Sequence, residues 1–400
     1  MSAAAAPSRR AGGLLLLAVL LTACSMRSPL TGVGPVLAQV STDTGLGATA
    51  AGLLTSLPLI AFALASGVVP RVAGRLGVQP TVVAALVVLV AGAALRWVPG
   101  AAPLFAGTAL IGVAIAVANV LLPGVVRTGF PTRLALVTSG YLVAMQLAGG
   151  AASGTAVPLS AHLPGGWRTA LAVWALPALL AAVLWAPLLR GRAGAPAGAR
   201  RAPVPWRSPL AWAVTAHMGA QSFVFYCLLT WLPTLLQERS GLDAVSAGWQ
   251  LTLLQGAGVT AGFLVPALTR GPVGTRRTMV GAALVELAGL ALLLAATGGA
   301  ARALVPLGVG LVGLGGGAAL VLALAATASR AADAAGAVAL SGMAQSAGYL
   351  LAAAGPVLVG ALHAATGSWA VPLVLVAAAA AAQAVAARRA GADEVVRAAG

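Results

Sequence analysis

Arg27 is the residue whose type and position demand most of their surroundings. It lies inside an apolar stretch, residues 12–38, that holds no acidic side chain. Read as a helix, the stretch places Arg27 roughly 20 Å from either end at about 1.5 Å per residue. That is further than a side chain can snorkel to water. A guanidinium at such depth in a bilayer costs at least ~2.5–3.5 kcal/mol and must face a cavity or a partner. It is permanently charged, planar and forked, so it suits small carboxylate-like anions. Its counter-charge is then a bound anion, Glu286, or carbonyls and hydroxyls such as Ser25 and Ser28. A structural arginine tied to backbone carbonyls is the competing account.

Glu286 is the one acidic residue in the apolar stretches so defined. A carboxyl there can take up and release a proton, or it can stay protonated and hydrogen-bonded. Asn119, Gln146, Gln221, Tyr226, Gln250, Gln255, Gln345 and Tyr349 supply uncharged hydrogen-bonding groups in other stretches. Such groups can hold a solute without locking an ion in place, or join neighbouring helices at ~0.6 kcal/mol per contact. His217 and His363 have no acidic or thiol neighbours of the kind a metal site needs and read as structural. Gly315-Gly316-Gly317 has no following Lys, so it reads as close helix packing rather than a phosphate loop. Trp167 and Trp231 are expected in an interfacial belt. Cys24 and Cys227 make neither a disulfide framework nor a metal motif.

The elements that must position these residues are membrane helices. The 400 residues are 60% apolar and 8% charged, against about 25% charged in an ordinary soluble domain. Twelve apolar runs of spanning length fall at 12–38, 47–69, 78–98, 103–126, 133–158, 168–189, 209–236, 246–269, 277–298, 302–326, 336–361 and 369–387. The net charge of +16 comes from 23 arginines and no lysine, without the interleaved aromatics of a nucleic-acid surface. With the N-terminus inside, 18 arginines fall on the cytoplasmic side and four, Arg96, Arg168, Arg239 and Arg302, outside, in loops or at span ends; only Arg27 lies deep within a span. This bias predicts both termini in the cytoplasm.

Two similar halves are also visible. Gly45-Leu46, Ala51-Gly52, Leu57 and Pro70 recur 196 residues later, and Ser139-Gly140 and Trp167 recur 202 residues later. The division predicted is 1–189, a basic linker at 190–208, and 209–400. Residues 1–24 also read as a lipoprotein leader, with Leu21-Thr22-Ala23-Cys24 as a lipobox. Removing that segment would leave eleven spans, so the stretch is expected to be retained as the first helix.

Particular strings carry a family resemblance. Arg27 with Thr31, Val33, Gly34 and Pro35, then Ala51 to Pro58, are similar to the first two helices of the cyanate permease and nitroimidazole transporter family of major facilitators. Asn119 to Pro123 with Phe130-Pro131, Gly166-Trp167-Arg168, Gln221-Ser222 with Tyr226 and Thr230 to Pro233, and Leu340 to Gln345 with Gly348 to Leu350 and Gly355-Pro356 continue the likeness across residues 14–385. Ser25 and Ser28 stand where that family usually has Asn and Pro. The facilitator loop signature keeps Gly67, Gly74 and Arg75 but has Arg71 for its usual Asp.

The resemblance implies an all-α membrane protein of twelve transmembrane helices in two six-helix pseudo-symmetric halves. It implies a central cavity lined by Arg27, Asn119, Gln221, Tyr226, Gln345 and Tyr349. It implies a peripheral ninth helix, which would set Glu286 away from the cavity wall and make it dispensable for solute; that favours a protonated, hydrogen-bonded carboxyl, with coupling as its alternative role. The function expected is secondary transport of a small anionic or polar solute, cyanate-like or a small organic anion, across the inner membrane by alternating access. A proton or another ion is the expected coupling partner. The protein is expected to be a monomer, to need no cofactor or metal and to bind no nucleic acid. The alternatives are an exporter of drugs and toxic compounds and a non-transporting membrane sensor. An enzyme is not expected, since no nucleophile–base pair appears.

Overall fold

The computed structural model describes residues 9–65, 68–190, 203–270, 273–296 and 299–396. Twelve helices are long and apolar enough to cross a membrane. They are α1 (Gly12–Thr44), α2 (Ala48–Ala65), α3 (Val78–Trp97), α4 (Ala101–Gly129), α5 (Leu136–His162), α6 (Trp167–Leu188), α7 (Pro209–Ser240), α8 (Ala244–Arg270), α9 (Gly274–Ala295), α10 (Arg302–Ser329), α11 (Ala335–Thr366) and α12 (Ala370–Ala390). Each predicted span falls on one of them. Among the described residues there is no β-strand, only an isolated bridge between Ala331 and Val396. Arg192, Arg200, Arg201, Arg397, Gly67 and most of the predicted linker lie outside the described residues.

The first helix runs six residues past its predicted end. Pro29, Gly32 and Pro35 break it without ending it: regular α-helix stops at Thr31, a 3-10 turn covers Gly34–Val36, and α-helix resumes at Leu37. The helix closes only at Gly45, whose φ of 69° is the left-handed value that glycine adopts without strain. Asp43 therefore sits in the last turn of α1, paired with Arg168 at 2.5 Å. The first six helices do carry a carboxylate, at a helix end rather than at depth.

The repeat seen in the sequence has a structural meaning. Gly241, φ 60°, closes α7 as Gly45 closes α1. The Trp167 indole donates to Asp43 at 3.2 Å, and Trp369 donates to Glu238 at 2.7 Å, so each half ties its sixth helix to the end of its first. Trp167 and Trp231 are both buried at 6% exposure, and Trp231 donates to the Pro356 carbonyl at 2.9 Å. They are packing residues with satisfied N–H groups, not an interfacial belt. Small residues set the helix crossings as expected in lipid. A Cβ on Gly92 would lie 2.7 Å from the Gly107 carbonyl oxygen, and one on Gly289 would lie 2.6 Å from that of Gly308. The third and fourth helices of each half thus meet backbone to backbone.

The helix ends near Gly45 and Gly241 form one face of the bundle; those near Arg127, Arg133 and Arg330 form the other. At the Gly45 face the halves are sealed. Gly34 abuts the Leu229 carbonyl, Gly52 abuts the backbone of Pro356, and the Thr230 and Thr55 hydroxyls lie 3.0 Å apart. Thr252 of α8 donates to Gly150 of α5 at 2.7 Å, and Gln255 donates to Ser153 at 3.2 Å.

Candidate functional site

Arg27 lies on the α-helical part of α1 just before the Pro29 break. Gly149 of α5 makes room for it: a Cβ there would lie 2.6 Å from Arg27 Cγ. The guanidinium carbon is 4.3 Å from the centroid of the Phe225 ring on α7. Among the described residues no carboxylate pairs with Arg27, and its Nε is buried without a hydrogen-bond partner. Ser25 and Ser28 do not serve it. Their hydroxyls donate along their own helix to Leu21 at 2.7 Å and Cys24 at 2.9 Å. The ring lies against the charge, while the in-plane N–H donors of a guanidinium still need oxygen partners. The arrangement leaves a permanent cation without a counter-charge beside a space.

That space is a cavity of about 220 Å³ between the halves. Arg27, Asn119, Gln221, Tyr226, Gln345 and Tyr349 all line it. The six residues singled out from the sequence are thus brought together from α1, α4, α7 and α11. Gln345 donates to Ser341 at 2.9 Å and Gln221 to the Gly316 carbonyl at 3.4 Å. Asn119 is exposed. Tyr349 meets Phe62 edge to face at 5.5 Å, and Tyr226 meets Phe225 likewise at 5.1 Å.

Sequence reasoning found two of the rings, Tyr226 and Tyr349, and missed Phe62, Tyr141 and Phe225. The chain has three tyrosines, Tyr141, Tyr226 and Tyr349, and all three line this cavity together with Phe62 and Phe225. Phe225 could have been found: it follows Gln221 by four residues and so shares its helix face. Phe62 and Tyr141 gave no such signal.

Glu286 is not where the resemblance implied. It is 1% exposed and lines a void of about 20 Å³ together with Arg27, Gln146, Gln221 and Gln255. The glycine run explains the approach. A Cβ on Gly315 would lie 2.6 Å from Glu286 N, and one on Gly316 would lie 3.1 Å from Glu286 Oε1. Helix α10 is bare at this level, so a carboxyl on α9 comes close to the centre. Glu286 lies beside the buried Gln383 amide of the adjacent α12, without a well-formed hydrogen bond between them. His217 is fully buried, with Nδ1 3.4 Å from the Gln383 carbonyl oxygen. His363 stacks on Trp369 at 3.9 Å and faces Glu238 at 3.4 Å. Among the described residues no group of three His, Cys, Asp or Glu side chains could hold a metal.

A second correction concerns Arg96, assigned from the sequence to the outer side. It is 4% exposed, turned inward from the last turn of α3, with Nη1 donating to the Pro29 carbonyl at 3.1 Å. Arg27 is therefore not alone at depth. The backbone approach at Gly92 and Gly107 lets the Arg96 side chain pass between α3 and α4: a Cβ on Gly107 would lie 2.8 Å from its Cγ.

Residues 15–356 match the sequence profile of the Major Facilitator Superfamily. The chain belongs to the major facilitator superfamily. Its members here are transporters, not enzymes, and this chain is a multi-pass membrane transporter of a small solute. An uncharacterised transporter of Bacillus subtilis (strain 168), YycB, is 39% identical over 96% of this chain and 94% of its own length. The 2-nitroimidazole transporter of Escherichia coli (strain K12) is 39% identical over 91% and 92%. The cyanate transport protein CynX of the same organism is 29% identical over 64% and 67%. Among solved structures, the nucleoside transporter NupG (D323A mutant) superposes with a TM-score of 0.76 at 12% identity, covering 94% of this chain and 98% of that one. A bacterial homologue of the lysosomal transporter Spinster, inward-facing and occupied, gives 0.73 at 14%, covering 96% and 97%. These likenesses establish the superfamily fold, with twelve helices in two six-helix halves.

Proposed function

We propose that this transporter moves a small, planar solute, anionic or strongly polar, by alternating access, with Arg27 as its principal binding group. The single observation that carries this reading is Arg27 itself: a cation over the Phe225 ring, without a carboxylate partner among the described residues, lining the central cavity. Two coplanar oxygens match its fork. A carboxylate has them, and so does a nitro group. Asn119, Gln221, Tyr226, Gln345 and Tyr349 then orient the remainder of the solute by hydrogen bonds. Glu286 is the coupling residue in this reading, reaching the Arg27 side through the water-sized void over Gly316.

The arginine distribution supports a bacterial inner-membrane protein with both termini cytoplasmic and the Gly45 face outward. The cavity then opens to the cytoplasm. The repeat and the basic stretch between α6 and α7 support halves at 1–189 and 209–400 joined by a cytoplasmic linker at 190–208.

A second reading is favoured by one observation. Five aromatic rings, Phe62, Tyr141, Phe225, Tyr226 and Tyr349, surround the cavity. That lining suits export of a flat heteroaromatic compound, the substrate class in the name of the 2-nitroimidazole transporter.

Uptake and efflux in proteoliposomes test both, with cyanate, acetate and 2-nitroimidazole as solutes. Arg27→Ala, folded and monodisperse, should lose transport, and Arg27→Lys should restore it poorly, because a point charge does not reproduce the fork. Unchanged transport and unchanged preference for charged over neutral solutes in Arg27→Ala would overturn the reading. Transport of 2-nitroimidazole but neither anion selects the second.

A further inference from the structure

The break in α1 leaves one carbonyl free and brings a second cation to it. Val33 N–H bonds to Leu30 and Gly32 N–H to Ser28, so the Pro29 carbonyl has no acceptor role within its own helix. Arg96 Nη1 fills that role at 3.1 Å. One hydrogen bond does not use a guanidinium. Arg96 Nε and Nη2 are both buried with no hydrogen-bond partner, and no carboxylate pairs with Arg96 among the described residues. A structural clamp on one carbonyl would leave a charge and two donors stranded, an arrangement that proteins avoid.

Arg96 lines a void of about 20 Å³, enough for one water-sized group. Thr55, Thr108 and Thr230 supply hydroxyls around it, and Leu54, Pro58 and Leu229 supply apolar walls. Tyr226 and Leu30 line both this void and the central cavity. The two chambers therefore lie on either side of one partition. Pro29 is two residues beyond Arg27, about 3 Å further along α1 at 1.5 Å per residue. The void lies toward the Gly45 face, the face at which the halves are sealed.

We propose that Arg96 forms a second anion station, distinct from Arg27, on the far side of the Tyr226–Leu30 partition. It takes a small anion, or the charged end of a larger one, when the halves part at the Gly45 face. In the present conformation it is shut down to the size of one small group. A solute released from Arg27 then meets a second permanent cation before it meets water, rather than crossing an apolar seal uncompensated. The inference rests on the reading of the solute as anionic.

The test uses the purified full chain and potassium cyanate or sodium nitrite as probes, read by thermal shift against potassium gluconate at equal ionic strength. Arg27→Ala should keep a weak anion-dependent shift that vanishes in Arg27→Ala/Arg96→Gln. Arg96→Gln alone should slow anion uptake five- to tenfold or more. Arg96→Lys keeps a donor for the Pro29 carbonyl but loses the free fork. It should fold and still transport poorly, so it carries the test if the Gln variant does not fold. Wild-type anion binding and uptake in a folded Arg96→Gln or Arg96→Lys protein would overturn the second station and leave Arg27 untouched. Loss of binding in Arg96→Gln with full binding in Arg27→Ala would do the reverse.

Discussion

Arg27 is held against Phe225, with the guanidinium carbon 4.3 Å from the ring centroid. The ring lies against the guanidinium and shields part of the charge from water. Such a contact is worth about 0.5–2 kcal/mol, depending on desolvation. Phe225→Leu should keep the volume and apolarity but release the fork. The expected result is solute affinity weaker by about 2- to 30-fold, the range those energies span, with little change in thermal stability. Binding titrations on detergent-solubilised protein measure both. Full affinity in Phe225→Leu would mean that the stacking is incidental.

Glu286 faces the Arg27 side with an unsatisfied oxygen and no cation bound to it among the described residues. Glu286→Gln retains size and hydrogen-bonding capacity but cannot exchange a proton. The expected variant is folded and binds solute, yet no longer accumulates it under an imposed pH gradient, while downhill exchange continues. Gradient-driven accumulation at the wild-type level would remove Glu286 from coupling. Gly316→Val should give a milder form of the same defect, because a side chain there crowds Glu286 Oε1.

Particular residues mark how far the sequence could be read. Span count and position were legible because bilayer thickness imposes length and apolarity on every helix. The cavity residues on α1, α4, α7 and α11 were legible because a polar group inside an apolar run has few reasons to be there. Glu286 was misplaced because helix numbering alone sets α9 at the periphery. What brings it inward is the missing side chains on α10, a property of the neighbour and not of its own segment. Arg96 was misassigned for a related reason. Its position two residues from a loop predicts an exposed side chain, and only the Pro29 break and the Gly92–Gly107 crossing show where that side chain goes. Trp167 and Trp231 failed in the same way: an indole near a helix end suits a membrane interface, yet here the Asp43 carboxylate at the end of α1 and the Pro356 carbonyl claim the N–H groups.

Cys24 lies within α1, its Sγ 3.7 Å from the Ala144 carbonyl oxygen. Just before it, Thr22 accepts a hydrogen bond from the indole N–H of the fully buried Trp185 at 3.0 Å. Cleavage at the lipobox would strip Trp185 of that partner, a loss of about 1–3 kcal/mol for a buried donor, and would expose the α6 surface that α1 covers. The expected mature chain therefore keeps residues 1–23 and carries no acyl group on Cys24. Intact-mass measurement decides it: a product beginning at an acylated Cys24 would overturn the expectation. Thr22→Val should lower thermal stability without altering solute affinity.

Gly52 is where α2 and α11 close the Gly45 face. A Cβ there would collide with the Pro356 carbonyl group and come within 2.9 Å of Val357 Cα. The obstacle is backbone on both sides, so no rotamer change can absorb it. Gly52→Leu should therefore oppose this closed state while leaving each half well packed. Overpacking costs of about 1–3 kcal/mol are usual in tight cores, and a bias of that size moves a two-state population by roughly 5- to 150-fold. The variant should favour the state open at the Gly45 face, bind solute from that side and fail to transport it. Spin labels at positions 49 and 365, in a Cys24→Ser/Cys227→Ser background, report the separation of α2 and α11 across that face. A longer distance distribution in Gly52→Leu, with solute affinity retained, is the expected result. An unchanged distribution with normal transport would show that the Gly52–Pro356 contact does not govern closure. The intact Thr55–Thr230 contact just below it would then be the next place to look for the latch.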